Sequence, residues 1–336
     1  MKKLLLSFSV VSVLCGSVAF GQSTATTTPV GFISETVGAG SLTSPQLTLL
    51  SPTLTQPVVF QGTISAISGK TVTANGANWT ADQFDGANGA YYVEVFSATK
   101  PGALSDIVTT ATNSVTTADD LTAFASVGDT IAIRKHVTIA SFFGANNTWG
   151  LGTGNDISVA DEISVYNGGT PAVYWYYDGT LGGAAGWYDA LGSESGSVEI
   201  MPHEGVIILR KSPGNVTIVS TGTVKTGNTL FPIVNGLNVI GTVSASGLTL
   251  DSSGLYNGTS ALKASNDIST ADEVLIYTGS VPADYWYYDG SLGGPAGWYD
   301  ALGQLAGSTP IAAGTSFIVI RKGPAFNWSL PSPSSF

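Results

Sequence analysis

Two aromatic segments of the chain carry the side chains best suited to hold a ligand. The sequence YWYYDGTLGGAAGWYDALG spans 174–192, and YWYYDGSLGGPAGWYDALG spans 285–303. Exposed aromatic rings at strand spacing can stack on the apolar faces of sugar rings, while nearby carboxylates accept hydrogen bonds from the sugar hydroxyls. The residues of this predicted carbohydrate platform are Tyr174, Trp175, Tyr176, Asp178, Trp187, Tyr188, Tyr285, Trp286, Tyr287, Asp289, Trp298 and Tyr299.

The same aromatic residues also fit a purely structural role. Successive side chains of a strand point to opposite faces, and a buried aromatic ring removes roughly 150–250 Å² from water, enough to dominate a small core. Asp-Gly is a strong hairpin-turn signal, so Asp178 and Asp289 would serve to form turns. Packing is therefore the first interpretation of these segments, and a ligand platform is the second.

Pairs of basic residues end three apolar runs of the sequence. These pairs are Arg134 with Lys135, Arg210 with Lys211, and Arg321 with Lys322. In two of the three cases an Ala-Asp-Glu triplet stands at the other end of the same unit, so antiparallel pairing would bring arginine to the carboxylates or over a tryptophan ring. We expect a structural clamp rather than an anion-binding site, built from Asp161, Glu162, Arg210, Asp272, Glu273 and Arg321.

The sequence contains no recognisable metal-binding or catalytic motif. Asp and Asn cluster in 155–162 and 266–273, and oxygen ligands of this kind suit calcium, but the spacing of a calcium-binding loop is missing. The two histidines, His136 and His203, belong to no nucleophile, metal or phosphate motif. We predict no enzyme, no metal centre and no cofactor, with calcium and a hidden carboxylate pair as the alternatives.

The beginning of the chain has the layout of a secretory signal peptide. Lys2 and Lys3 precede an apolar run that ends in small residues, which predicts cleavage after residue 21. Cys15, inside that run, is the one cysteine, so the mature protein would have neither disulfides nor thiolate chemistry. Loss of Lys2 and Lys3 from the 12 basic residues leaves ten against 23 acidic ones, a formal charge of −13. That charge argues against nucleic acid as a partner, and no later segment is long and apolar enough to predict a transmembrane helix.

An internal duplication organises the second half of the chain. Residues 155–211 align with 266–322 without a gap, and 34 of the 57 positions are identical. Short runs of β-branched and aromatic residues alternate with Gly, Pro, Asn and Asp, which predicts three or four antiparallel strands in each copy. The runs at 206–209 and 317–320 are apolar on both faces, so we expect them to lie between layers.

The predicted fold class is all-β, with an N-terminal small β-barrel or sandwich followed by two homologous antiparallel β-units. A turn or two of helix is expected only at 116–124. The predicted segments are a signal peptide (1–21), an extended Thr/Ser/Pro-rich leader that pairs late or stays mobile (22–57), an N-terminal β-module (58–136), a connector (137–154), the first copy (155–211), a β-rich connection (212–265), the second copy (266–322) and a C-terminal tail (323–336).

The order of these motifs resembles an uncharacterised family of exported bacterial all-β repeat proteins. The resemblance rests on TPVGFISETV, VVFQGTISAISGKTVT, WTADQF and GDTIAI, followed by repeated ADE(V/I), YWYYDG and IRK units. It covers nearly all of the mature chain. It implies export and an all-β fold, and it brings no activity or catalytic residue to transfer.

Together these features predict an exported structural or adhesive protein of the cell envelope or surface, without catalytic activity. The alternative is a carbohydrate-binding protein that uses the duplicated aromatic residues. The expected location is the periplasm, the outer surface or the extracellular space, and the expected partners are a second copy of the chain or a cell-surface polysaccharide.

Overall fold

A computed structural model describes residues 29–86, 89–97, 101–167, 170–258 and 261–330. The predicted signal peptide with Cys15, the first seven residues of the predicted leader and the last six residues of the predicted tail lie outside the described residues. The all-β prediction is confirmed: 24 strands and one helix of five residues make up the regular structure of the described part. None of its helices is long and apolar enough to cross a bilayer.

The N-terminal module is a closed six-stranded barrel. Two strands precede it, β1 (Val30–Val37) and β2 (Gln46–Leu50). The barrel strands are β3 (Val58–Ser68), β4 (Thr71–Ala74), β5 (Tyr91–Ser97), β6 (Leu104–Thr110), β7 (Ser114–Thr117) and β8 (Thr130–Lys135). They close in the order β3-β4-β7-β6-β5-β8 around a core that includes Ile64, Val93 and Ile131.

A first unit is completed by the chain that follows the barrel. Its further elements are β9 (Val137–Thr138), α1 (Ile139–Phe143), β10 (Glu162–Asn167), β11 (Thr170–Tyr177), β12 (Gly186–Asp189), β13 (Glu199–Ile200), β14 (Val206–Arg210) and β15 (Val216–Thr223). A five-stranded antiparallel sheet has the order β12-β11-β10-β14-β2, and two-stranded sheets pair β1 with β15 and β9 with β13. These elements enclose one core, so β1, β2, α1 and β9–β15 are called the first unit.

The rest of the chain forms a second unit around a core of its own. Its strands are β16 (Thr229–Ile233), β17 (Gly236–Gly241), β18 (Leu248–Thr249), β19 (Glu273–Thr278), β20 (Val281–Tyr288), β21 (Gly297–Asp300), β22 (Pro310–Ile311), β23 (Ser316–Arg321) and β24 (Phe326–Leu330). The five-stranded sheet has the order β21-β20-β19-β23-β17, and the two-stranded sheets pair β16 with β24 and β18 with β22.

The two units place their strands in the same order. β19, β20 and β21 each begin 111 residues after β10, β11 and β12, and the β18–β22 pair likewise follows the β9–β13 pair. The fifth position of the sheet is filled by β2 in the first unit and by β17 in the second. The correspondence therefore extends upstream of the predicted copy boundary at 155, to residues 137 and 248 and, in the sheets, to β2 and β17.

Several predicted linking segments contribute strands to these units. The described part of the predicted leader holds β1 and β2, and both strands are fully paired. The connection at 212–265 contains the last strand of the first unit and the first strands of the second, and the tail contains β24. Because β2 and β9 belong to one unit, the barrel is inserted within the first unit.

The two five-stranded sheets also pack against each other. Leu49, Val239 and Ile318 form a buried cluster, with Ile207 and Ile320 packed against it. The opposite faces of β14 and β23 contribute Val206, Ile208, Phe317 and Val319 to the unit cores. This accounts for strands that are apolar on both faces, as the sequence indicated for 206–209 and 317–320.

The helix predicted at 116–124 is limited to a single turn at 121–125, where Ala125 N donates to the carbonyl of Leu121 at 2.9 Å. Thr116 and Thr117 end β7, and a turn follows. Asp120 Oδ1 accepts hydrogen bonds from the backbone N and the hydroxyl of Thr122, and the Thr117 hydroxyl donates to the carbonyl of Asp119. Such local side-chain bonds compete with helical hydrogen bonding.

Candidate functional site

The inner face of the first aromatic segment lies in the core of the first unit. Tyr174, Tyr176 and Trp187 are buried there, with Trp187 only 3% exposed. Tyr176 on β11 and Trp187 on β12 face each other across the strand pair with ring centroids 5.1 Å apart in an edge-to-face arrangement. The Trp187 indole donates to the carbonyl of Gly144 at 2.8 Å, just after α1. These rings therefore hold a sheet and a helix together.

The second segment repeats this arrangement with somewhat greater exposure. Trp298 is 2% exposed and packs edge-to-face on Tyr287, with centroids 5.5 Å apart. Tyr287 is partly buried and stacks on Tyr256 at 3.6 Å, while Tyr285 packs partly buried against the same core. The counterpart of helix α1 is absent from the described part of this unit, and Tyr256 covers Tyr287 instead.

The outer face of each segment is covered by the glycine-rich loop of the same hairpin. The Tyr177 hydroxyl donates to the carbonyl of Gly182 at 2.7 Å and accepts from Leu181 N at 2.9 Å. The Tyr188 hydroxyl donates to the carbonyl of Ala184 at 3.0 Å. Trp175, 9% exposed, packs edge-to-face on Tyr177. The polar tips of these rings are thus committed to the fold.

The second unit forms the same set of loop contacts. The Tyr288 hydroxyl donates to the carbonyl of Gly293 and accepts from Leu292 N, both at 2.8 Å. The Tyr299 hydroxyl donates to the carbonyl of Pro295 at 3.0 Å. Trp286 is partly exposed and contacts both of these tyrosine rings.

The aspartates beside the aromatic rings act as turn acceptors. Asp178 Oδ1 accepts from the backbone N and hydroxyl of Thr180, and Asp289 Oδ1 accepts from Ser291 N. Asp189 and Asp300, at the ends of β12 and β21, each accept two backbone N–H groups of the following turn. Because these carboxylate oxygens satisfy local backbone donors, they are not preorganised for a sugar hydroxyl.

The structure brings the predicted clamp residues of the first unit together. Asp161 is 2% exposed, and its Oδ2 accepts from Gly152 N and the Arg210 guanidinium. Its Oδ1 accepts from Lys211 N at 2.7 Å. The neighbouring pair of Lys211 Nζ and Glu162 Oε1, 2.5 Å apart, is partly exposed.

The clamp of the second unit has the same geometry. Asp272, 1% exposed, accepts from Lys263 N at 2.5 Å, from Lys322 N at 2.6 Å and from the Arg321 guanidinium. Lys322 pairs with Glu273. The Arg321 guanidinium also lies 4.8 Å from the ring centroid of Phe326, a phenylalanine rather than one of the tryptophans.

The lysine ammonium groups occupy the loops where the sequence left calcium as an alternative. Lys211 Nζ donates to the carbonyls of Ile157 and Ser158, and Lys322 Nζ donates to the equivalent carbonyls of the second unit. Asp156 accepts from Ser158 N, and hydrogen bonds from Ser158 lower the pKa of this aspartate. The oxygens that a calcium ion would need are thus arranged around a protein cation.

A buried charged triad joins the barrel to the first unit, and sequence reasoning missed it. Glu94 on β5 pairs with Arg134 Nε at 2.9 Å and with Lys225 Nζ at 2.5 Å. All three side chains are 3% exposed or less. Arg134 Nη1 also donates to the carbonyl of Gln56 and to the Thr223 hydroxyl. The three charges are up to 131 residues apart in the printed sequence, so no local spacing indicates the triad.

A second group of ionisable side chains lies where the barrel meets the 199–204 segment. His136, directly after β8, approaches Asp106 of β6 and Glu199 of β13. Nearby, burial lowers the pKa of His203 to about 4 and raises the pKa of Glu204 to about 7. His203 stacks on Phe231 with ring centroids 5.0 Å apart, which places this histidine at the border with the second unit.

Glu204 makes the stability of the protein pH-dependent in a defined direction. The pKa of Glu204 is raised from 4.5 to about 7 in the folded protein, so the folded state holds this proton more tightly than the unfolded state. The contribution of Glu204 to the free energy of unfolding is therefore fully present below pH 4.5 and is lost as the pH rises through 7. We therefore compare the free energy of unfolding of Glu204→Gln with that of the wild type. Relative to the wild type, the variant should become about 2–3 kcal/mol more stable as the pH rises from 4.5 to above 7, the lower figure allowing for partial exposure. Urea unfolding of both proteins across this pH range measures the difference. An unchanged difference would show that Glu204 stays ionised in the folded protein.

Comparison with protein-family models, curated proteins and solved structures found no match to this chain.

Proposed function

We propose that the chain is an exported structural or adhesive protein of the cell envelope or surface, without catalytic activity. The observation that carries this proposal is the internal use of the duplicated aromatic segments. Their rings fill unit cores or cover hairpin loops, and their carboxylates cap turns. Buried Asp–Arg clamps fasten both units in the same manner. Side chains that could have formed a binding platform instead support a rigid scaffold.

The exposed leucines of the hairpin turns supply a surface through which such a scaffold would associate. They occupy matching positions in both units and are the most exposed large apolar side chains of these turns: Leu181 at 75%, Leu191 at 91%, Leu292 at 77% and Leu302 at 86%. Contact with another copy of the chain would remove apolar area from water at about 25 cal/mol per Å². We propose a second copy of the chain as the partner at this surface.

Sedimentation velocity tests the association directly. Over about a hundredfold range of concentration, we expect the wild-type chain to form larger species as concentration rises. A variant with serine at all four leucines should stay monomeric with an unchanged circular dichroism spectrum. Val127→Ser, which changes an exposed apolar turn residue of the barrel, is the matched control and should associate like the wild type. A wild-type chain that remains monomeric throughout would overturn the proposal of self-association.

Carbohydrate binding is the second candidate, and the second unit favours it. Tyr285, Trp286 and Tyr287 are partly exposed, whereas their counterparts in the first unit are buried. A glycan array probed with the wild type and with Trp286→Ala separates the two candidates. Saturable binding that Trp286→Ala abolishes would replace the structural proposal, and absence of binding is the result we expect.

Export rests on the predicted signal peptide at 1–21 and on the resemblance to exported all-β repeat proteins. N-terminal sequencing of protein recovered from outside the bacterial cytoplasm should begin after residue 21. Recovery of the uncut chain in the cytoplasm alone would contradict export.

A further inference from the structure

A buried histidine faces two carboxylates at the junction of the barrel and the first unit. His136 Nε2 lies 3.0 Å from Asp106 Oδ1 and 3.8 Å from Glu199 Oε2. The imidazole side chain is fully buried, whereas the two carboxylates are 43% and 41% exposed. A solute can therefore reach the carboxylates from outside while the histidine closes the inner side.

The atoms of this cluster are close together, yet the buried ones are not hydrogen-bonded. Within the described ranges, His136 Nδ1, His136 Nε2 and Asp106 Oδ1 have no hydrogen-bond partner. At 3.0 Å, Nε2 and Oδ1 are near enough to bond but are not aligned for it. An unpaired buried polar atom is costly, so the arrangement calls for something between the two atoms.

The distances fit a single small metal ion. Zinc binds imidazole nitrogen and carboxylate oxygen at about 2.0–2.2 Å, so two of its ligands lie at most about 4.4 Å apart. The observed separations of 3.0 and 3.8 Å fall inside this limit, and the ligand atoms of all three residues lie within 4.8 Å of one another. A small rotation of the half-exposed carboxylates would bring all ligand-atom separations within about 4.4 Å.

The surroundings hold the histidine in place. His136 N donates to the carbonyl of Ala90 at 2.9 Å, and its ring packs on Tyr92 with centroids 4.9 Å apart.

We propose that Asp106, His136 and Glu199 form a site for a divalent first-row transition ion, with zinc as the probe that fits it best. One imidazole and two carboxylates are a ligand set for such ions, whereas calcium and magnesium take six or more oxygen ligands. Three protein ligands leave a position open toward solvent. Because the ligands come from the barrel and from β13 of the first unit, the ion would fasten these two parts together.

Isothermal titration of the full chain, purified without a histidine tag and stripped with a chelator, tests the site. We expect one saturable zinc site per chain, a rise in thermal unfolding midpoint with zinc, and no competition from about tenfold more calcium. Asp106→Asn and Glu199→Gln should each weaken zinc binding at least about tenfold, since each removes one ligand charge at an exposed position. Glu194→Gln, on the exposed turn after β12, is the matched control and should bind like the wild type.

Two results would overturn the proposal. One is the lack of saturable zinc binding by the folded wild type. The other is equal zinc affinity in the wild type and in the Asp106→Asn, Glu199→Gln double variant, which would place the ion elsewhere. In either case Asp106, His136 and Glu199 would not form a metal site. Self-association through the turn leucines is measured separately, so failure of one proposal leaves the other standing.

Discussion

Asp161→Asn and Asp272→Asn are each expected to lower the free energy of unfolding by about 3–5 kcal/mol, the cost of removing one partner from a buried ion pair. Each substitution keeps the size of the side chain and removes its charge. Arg210 or Arg321 would then remain buried without a counter-charge, and one of the backbone donors that the carboxylate satisfies would lose its acceptor. Urea unfolding followed by tryptophan fluorescence measures the loss.

Asp178→Asn is the matched control for the clamp variants. Asparagine can accept the same turn hydrogen bonds from Thr180, so this change should stay within about 0.5 kcal/mol of the wild type. A loss below about 1 kcal/mol in both clamp variants would contradict a structural clamp. It would return the two arginines to consideration as an anion-binding site.

Glu94→Gln is expected to destabilise the protein by a similar amount, about 3–5 kcal/mol. Without the carboxylate, Arg134 and Lys225 are two buried cations that repel each other. Burial already lowers the pKa of Lys225, and Glu94 is the group that opposes this effect. Hydrogen exchange should show faster exchange in β5, β8 and β15, where the barrel meets the first unit.

A double-mutant cycle separates the triad from a general loss of packing. Lys225→Met should cost less in the Glu94→Gln protein than in the wild type, because the repulsion is then gone. Equal costs for Lys225→Met in both backgrounds would show that Glu94 and Lys225 do not interact.

Glu162→Gln is the control for charge loss at a surface pair. It alters the partly exposed pair with Lys211 and should lower the free energy of unfolding by at most about 1 kcal/mol.

Local sequence patterns indicate the strands and the clamp, because both depend on near neighbours in the sheet. Short β-branched and aromatic runs between turn residues correspond to β10–β12 and β19–β21. The pairing of Glu162 with Leu209 brings the start of β10 beside the end of β14. Asp161 and Arg210 therefore meet as a direct consequence of antiparallel register.

The unit boundaries could not be predicted from the sequence duplication. β2 and β17 fill the same sheet position, but the sequences QLTLL and GLNVIG share little beyond apolar character. A strand at the edge of a sheet needs only an extended backbone and apolar side chains that pack on the core. Many sequences meet these conditions, so an edge strand has no recognisable motif. The barrel between β2 and β9 further separates the first unit's own strands along the chain.

The charged groups at the barrel junction depend on contacts across long sequence separations. Glu94, Arg134 and Lys225 come from three segments, as do Asp106, His136 and Glu199. One feature of the sequence pointed toward them: a protein with 10% charged residues that places arginine at the end of an apolar strand needs a buried counter-charge. The identity of that partner follows only from the fold.

Solvent exposure of the tryptophans tests most directly whether the duplicated aromatic segments serve construction. In protein labelled with 5-fluorotryptophan, the fluorine resonance shifts between light and heavy water in proportion to the exposure of each ring. Resonances assigned by single Trp→Phe replacement should show almost no isotope shift for Trp187 and Trp298, which are 3% and 2% exposed. Isotope shifts for both rings close to that of free 5-fluorotryptophan would contradict the account.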